Sequence, residues 1–327
     1  MNTSSRRNIF SRSGFRALIA GCGAALQWRL LLLWLLAMLL PTLLIALPTS
    51  AWLQAQFGYS VHAADVANGR NLPLLLDGLF SIGESRSWLR SSAALATIMA
   101  VLLSPWLNGM VIASIRAGRR LGFGELLQGG LAEYGRMFRT LLWSLLPLGI
   151  AIAIGAWLIS LSGKQVDAAI LASDVEGIGR IALWSAVALF VLAHATVEAG
   201  RGWIGADRGL RSAIRAWWRG AKLLVRRPIA VLAVYLGTAI AGYGLAALFG
   251  ALRLQFNGAG AGGFIIALLL TQLVVIALAW GRIARLYGMA DLAGDALSRQ
   301  PVVVVPAQQN VSAQDSVLPQ TTTTALA

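Results

Sequence analysis

The sequence predicts an all-α, polytopic membrane helix bundle with six transmembrane helices, both termini cytoplasmic (N-in/C-in), plus amphipathic interfacial helices. Three observations lead there. Of 327 residues, 57% are hydrophobic and 12% are charged, roughly half the charge fraction of a soluble domain. The apolar residues come in long blocks rather than in amphipathic periods. The formal net charge of +14 sits on alternate connections between those blocks, the pattern of a chain that crosses a bilayer repeatedly. Segments this apolar must be buried somewhere, which excludes disorder along the whole chain.

Residues 1–29 read as a basic cytoplasmic segment in which Phe15–Trp28 forms an amphipathic lead-in helix lying on the inner face and continuing into the first span. Ser5-Arg6-Arg7 looks like a twin-arginine signal and Ile19-Ala20-Gly21-Cys22 like a lipoprotein cleavage box. Arg16, however, interrupts the apolar run before Cys22 that a signal h-region needs.

Six stretches reach the roughly 20 apolar residues of a spanning helix: Leu30–Leu47, Ala93–Ile115, Thr140–Ser162, Ile181–Gly200, Pro228–Leu248 and Phe264–Gly281. Helix rather than strand follows, because in lipid such a run must satisfy its own backbone groups. Pro41, Pro105 and Pro147 fall inside three of them, where kinks are expected. Together the spans make a six-helix domain over residues 30–290. Residues 291–327, with a PVVVVPAQQ stretch and Thr321–Thr324, lack helical period and are expected to be a disordered cytoplasmic tail.

Orientation follows from the basic residues. One side carries 21 Lys and Arg, Arg201, Arg282 and Arg285 among them, and the other carries six. With acidic residues included, the outer side sums to zero and the cytoplasmic side to +14. The outer connections are Pro48–Arg90, in which Leu72–Phe80 reads as an interfacial helix, the mildly acidic Gly163–Arg180, and the glycine-rich Leu254–Gly263. None is large enough for a catalytic domain.

The sharpest motif is Arg208–Arg227. Arg208, Arg211, Arg215, Arg219, Lys222 and Arg226 recur at steps of three or four and share one helical face, while Leu210, Ile214, Trp217, Ala221 and Leu224 take the other. This is the pattern of an interfacial helix, and anionic lipid is attracted by about 1 kcal/mol per basic residue near the surface. The expected ligand of Arg208, Arg211, Arg215, Arg219, Lys222, Arg226 and Trp217 is an anionic headgroup or a membrane partner; the same arginines also serve topology. A second, less basic cytoplasmic helix is expected at Phe123–Arg139. Nucleic acid is not an expected partner, since no base-reading module accompanies the charge.

Polar residues within spans are functional candidates by default. Asn108, His194 and Gln272, counted back from Arg116, Arg201 and Arg282, lie at depths of roughly 12, 10 and 15 Å, so they are expected to meet in one layer of the cytoplasmic half. His194 and Glu198 are one turn apart. They read either as a proton-handling pair or as a structural pair in which Glu198 binds Arg201 and His194 bonds to another helix. On span five, Gly242, Ala246 and Gly250 follow the small-xxx-small rule and mark a close helix contact, within the chain or between copies.

Other chemistry finds no residues. A lone Cys22 makes no intrachain disulfide, and two histidines, His62 and His194, make no His/Cys metal cluster. Gly258–Gly263 satisfies GxGxxG without a preceding strand, and neither a phosphate loop nor a GxSxG elbow occurs. No catalytic residue, metal or cofactor is therefore expected, and the chain is expected not to be an enzyme.

Two stretches carry a family resemblance. The first runs from Leu107-Asn108-Gly109 through Arg119-Arg120-Leu121-Gly122-Phe123-Gly124-Glu125 to Glu133-Tyr134-Gly135-Arg136-Met137-Phe138-Arg139. The second joins Arg211-Ser212-Ala213-Ile214-Arg215 and Leu223-Leu224-Val225-Arg226-Arg227-Pro228 to Gln272-Leu273 and Arg282. Over about Ala93–Arg285 this layout resembles uncharacterised bacterial six-span inner-membrane proteins. It is distantly similar to the membrane domain of some glycerophosphodiester phosphodiesterases, whose soluble domain is not expected here. The resemblance implies a multi-pass protein of the bacterial cytoplasmic membrane and carries no catalytic residues. The expected function is a non-enzymatic scaffold or accessory subunit that binds anionic lipid or a partner through its basic face. The alternative is a small transporter or channel with Asn108, His194 and Gln272 on its pathway.

Overall fold

The structure, a computed structural model, describes residues 3–63, 65, 73–74, 76, 87–166, 172–256 and 260–299. Eight helices order these residues: α1 Thr3–Ala24, α2 Trp28–Phe57, α3 Ser87–Ala117, α4 Phe123–Val166, α5 Ala172–Ala206, α6 Ala213–Arg226, α7 Pro228–Gln255 and α8 Gly260–Ser298. No strand occurs among the described residues. Six helices (α2, α3, α4, α5, α7 and α8) are long and apolar enough to cross a bilayer, and each expected stretch lies inside one of them. The chain is a multi-pass membrane protein. Much of the interfacial stretch expected at Leu72–Phe80, and the tail after Arg299, lie outside the described residues.

Outward-facing Leu and Ile cover α2, α4 and α8, as lipid contact requires, and small residues set the helix crossings. Without a hydrophobic drive between helices in lipid, close backbone approach supplies the contact. Three successive pairs meet at glycines. A Cβ on Gly109 of α3 would lie 2.8 Å from the carbonyl oxygen of Gly130 in α4. One on Gly220 of α6 would lie 2.6 Å from the carbonyl oxygen of Thr196 in α5, beside Gly200. One on Gly242 of α7 would lie 3.0 Å from Cα of Gly281 in α8. The contact expected on span five is thus made within the chain at Gly242, and Ala246 is buried, whereas nothing approaches Gly250.

Three elements differ from expectation. The helix at Phe123–Arg139 is the first part of α4, continuous with the third span, because no breaker separates Arg139 from Thr140. α8 runs past residue 290 to Ser298, since Met289, Leu292 and Ala293 are buried in the bundle. α1 does not continue into α2: it stops at Ala24, and α2 starts after an extended Gln27. α1 rests instead on α7 and α8, where Gly14 and Gly21 approach the backbones of Ala230 and Ala284 and Ala17 is fully buried. Gln27 secures the junction: its Nε2 donates to Tyr287 Oη (2.9 Å), which donates to Ser114 Oγ (2.7 Å), which donates back to Gln27 Oε1 (3.1 Å). Helices α2, α3 and α4 continue through their internal prolines. The α3–α4 turn uses Gly118 at φ 64°, a left-handed conformation that favours glycine.

Candidate functional site

The ends of α3 and α5 and the beginnings of α2, α4 and α7 gather at one end of the bundle, with the last turns of α8. Arg116 on α3 fastens three of them. Its Nη1 pairs with Glu133 Oε1 of α4 at 2.5 Å and its Nη2 donates to the Ile204 carbonyl of α5 at 2.6 Å. Glu133 also holds Arg136 at 3.1 Å, and Arg208 Nη2 donates to the carbonyl of Arg116 at 2.6 Å. Arg119, in the following turn, hydrogen-bonds Glu125, which holds its guanidinium pKa above the ordinary value.

α6 is the amphipathic helix expected from the arginine spacing, but it spans only Ala213–Arg226, so Arg208 and Arg211 lie in the turn before it rather than on its basic face. Ser212 caps it, its Oγ accepting from the Arg215 amide. Pro228 ends it, because the residue before a proline avoids helical geometry: Arg227 takes φ −139°, ψ 58° and serves as the hinge between α6 and α7. Arg227 pairs with Asp295 of α8 at 2.6 Å, which fixes that hinge.

Three faces run along α6. Ala216, Gly220, Leu223 and Leu224 are buried, packed mainly on α5. Ile214, Trp218 and Val225, spaced by four and seven residues, form an exposed apolar stripe. Between the two lies a basic flank of Arg215, Lys222 and Arg226, all exposed. The sequence placed Trp217 on the lipid side, but its Nε1 donates to Thr196 Oγ1 at 2.9 Å and its ring meets Trp143 edge-on. Trp218 is the exposed ring, with Lys222 Nζ 5.7 Å from its centroid. The small Ala216–Gly220 face fits closest to α5, and that rotates the helix away from its simple two-sided reading.

The six expected headgroup cations divide accordingly. Arg211, Arg215, Lys222 and Arg226 make no ion pair among the described residues. Arg219 pairs with Asp207 at 2.7 Å and stacks 5.3 Å from the Trp203 centroid, and Arg208 is spent on the Arg116 carbonyl. A cleft of about 330 Å³ opens between α5, α6 and α8, with Arg219, Lys222, Arg226, Arg227 and Arg299 around Trp203 and Leu223. Asp207 and Asp295 are the carboxylates paired with these cations.

Inside the spans, Asn108, His194 and Gln272 do not bond to one another. Asn108 Nδ2 donates to Ser104 Oγ of its own helix (3.3 Å), and Oδ1 of Asn108 and Oε1 of Gln272 are buried without a partner. Arg201 and Arg282, from which two of these depths were counted, turn into the bundle. His194 is joined by other residues. Its Nδ1 is 2.7 Å from Tyr235 Oη, and its Nε2 lies 3.7 Å from Glu198 Oε1, which binds Arg201 Nη1 at 2.6 Å. Glu198 and Arg201 are 2% and 5% exposed. Arg285 stacks on Tyr235 and donates through Nε to Thr238 Oγ1 at 3.4 Å; Arg282 donates to Ser104 Oγ at 3.3 Å. Among the described residues no group of three or more His, Cys, Asp or Glu is placed to hold a metal ion.

Comparison of the chain with protein-family models, with curated proteins and with solved structures gave no match.

Proposed function

We propose that this chain holds anionic lipid headgroups at its basic end and acts there as a non-enzymatic scaffold or accessory subunit, in a bacterial cytoplasmic membrane with that end inward. The three-faced α6 carries the reading. A helix fixed to the bundle by a small-residue face, with an apolar stripe beside an unpaired basic flank, lies where acyl chains meet phosphates. The adjoining cleft offers guanidinium groups, which bind phosphate through paired N–H donors.

The test is made on the full chain reconstituted with mixed phosphatidylglycerol and phosphatidylcholine and then re-extracted in neutral detergent. Retained lipid should be enriched in phosphatidylglycerol over the input, and the combined Arg215→Gln, Lys222→Gln, Arg226→Gln variant should lose most of that enrichment. Equal enrichment in both proteins overturns the reading.

A further inference from the structure

The arginines that turn inward line a second cavity, separate from the basic end. It measures about 510 Å³ and lies between α2, α5, α7 and α8. Arg282, Arg285 and Glu198 form its charged wall, and Trp34, Met38 and Val275 belong to its apolar wall. Its charge does not balance. Glu198 is engaged through Oε1 with Arg201, and neither Arg282 nor Arg285 has a carboxylate at ion-pair distance among the described residues. Arginine does not shed its proton in proteins, and an uncompensated buried cation is costly. Arg285 is 8% exposed. Its partner Thr238 is ten residues past Pro228, about 15 Å along α7 from the hinge at its basic end.

We propose that this cavity binds the acidic headgroup of a lipid, which enters sideways from the bilayer. The geometry of the mouth supports a lateral route. α2 and α7 both pack on α8, and Thr42, Tyr243 and Leu278 on the three helices are exposed at the cavity rim. A phosphate set against Arg282 and Arg285 leaves the acyl chains to leave through this rim, along the apolar flanks of α2 and α8. A further group points to the rest of the headgroup. Oε2 of Glu198 is buried without a hydrogen-bond partner, and an ionised carboxylate is acceptor-only. It therefore calls for a donor, the hydroxyl that phosphatidylglycerol carries beside its phosphate.

The test counts lipid bound to the full-length chain by native mass spectrometry, after delipidation and addition of short-chain phosphatidylglycerol. The wild type should retain one tightly held lipid that millimolar inorganic phosphate does not displace. Combined Arg282→Gln and Arg285→Gln should weaken retention by about tenfold per guanidinium removed. Thr42→Trp, which narrows the rim and leaves the charges intact, should weaken it too, so the test survives if the arginine variant does not fold. The α6 variant above should keep this lipid, which separates failure here from failure at the basic end. Retention unaffected by Thr42→Trp overturns the proposal. So does displacement by inorganic phosphate alone, which would make the cavity a site for free anions.

Discussion

The guanidinium carbon of Arg285 lies 4.6 Å from the ring centroid of Tyr235. The hydroxyl of the same tyrosine meets His194 Nδ1 at 2.7 Å, so one ring joins α8, α7 and α5 through its face and its edge. Tyr235→Phe keeps the face and loses the hydroxyl, and should cost about 0.5–1.5 kcal/mol. Tyr235→Leu loses both, and should cost roughly 1 kcal/mol more for the cation–π contact. Thermal unfolding in detergent, followed by reaction of the partly buried Cys22 with a thiol dye, measures both. Equal destabilisation by the two variants would show that the cation contact contributes nothing.

The Arg116–Glu133 pair has side chains only 12% and 13% exposed. Removing one partner strands the other, so Glu133→Gln should lower stability by about 3–5 kcal/mol. Replacing both with apolar residues of similar volume should cost much less. A double-mutant cycle on unfolding midpoints checks this, and additive losses would contradict a buried pair.

Glycines at crossings and glycines in open space should behave oppositely. Gly220→Ala drives a methyl group into the α5 backbone and should destabilise by about 1–3 kcal/mol. Gly135→Ala meets nothing within 4 Å, and should be neutral or stabilise α4 by up to about 1 kcal/mol. Limited proteolysis of the α5–α6 loop provides a local readout: Gly220→Ala should speed cleavage and Gly135→Ala should not.

Phosphatidylglycerol enrichment at the basic end should fall as salt rises, because exposed cations there are screened over about 10 Å at 0.1 M ionic strength. Lipid in the inner cavity, facing the partly and fully buried Arg282 and Arg285, should resist the same change. Lipid analysis across a salt series separates the two pools.

Trp218→Ser removes the exposed ring of α6 without touching the packed face, while Trp217→Ser removes the donor to Thr196. The first should reduce lipid enrichment with little change in unfolding temperature. The second should lower the unfolding temperature by the cost of a lost buried contact. The reverse outcome would place the wrong tryptophan at the membrane.

The spans and the basic connections were legible because transfer into lipid depends on consecutive residues and can be summed along the chain. So was the body of α6, from its arginine spacing; its start at Ala213, set by the serine cap, was not. Its rotation was not, because Ala216 and Gly220 count for little on any polarity scale yet decide which side fits α5. Gly109 appeared only as part of a motif, and its purpose becomes visible once Gly130 stands opposite. The absence of a breaker after Arg139 was the available signal that α4 would not divide.

Arg201, Arg282 and Arg285 mark the division most clearly. By itself the sequence determined that this is a six-span helical membrane protein with a strongly basic set of connections, since hydropathy and charge belong to each residue before it folds. Only the tertiary structure decided that these three arginines turn away from the basic surface toward Glu198, Tyr235 and Ser104. The reason is physical: a long, flexible guanidinium side chain can reach toward water or into the bundle interior, and the choice rests on which donors, acceptors and rings the neighbouring helices bring within its reach.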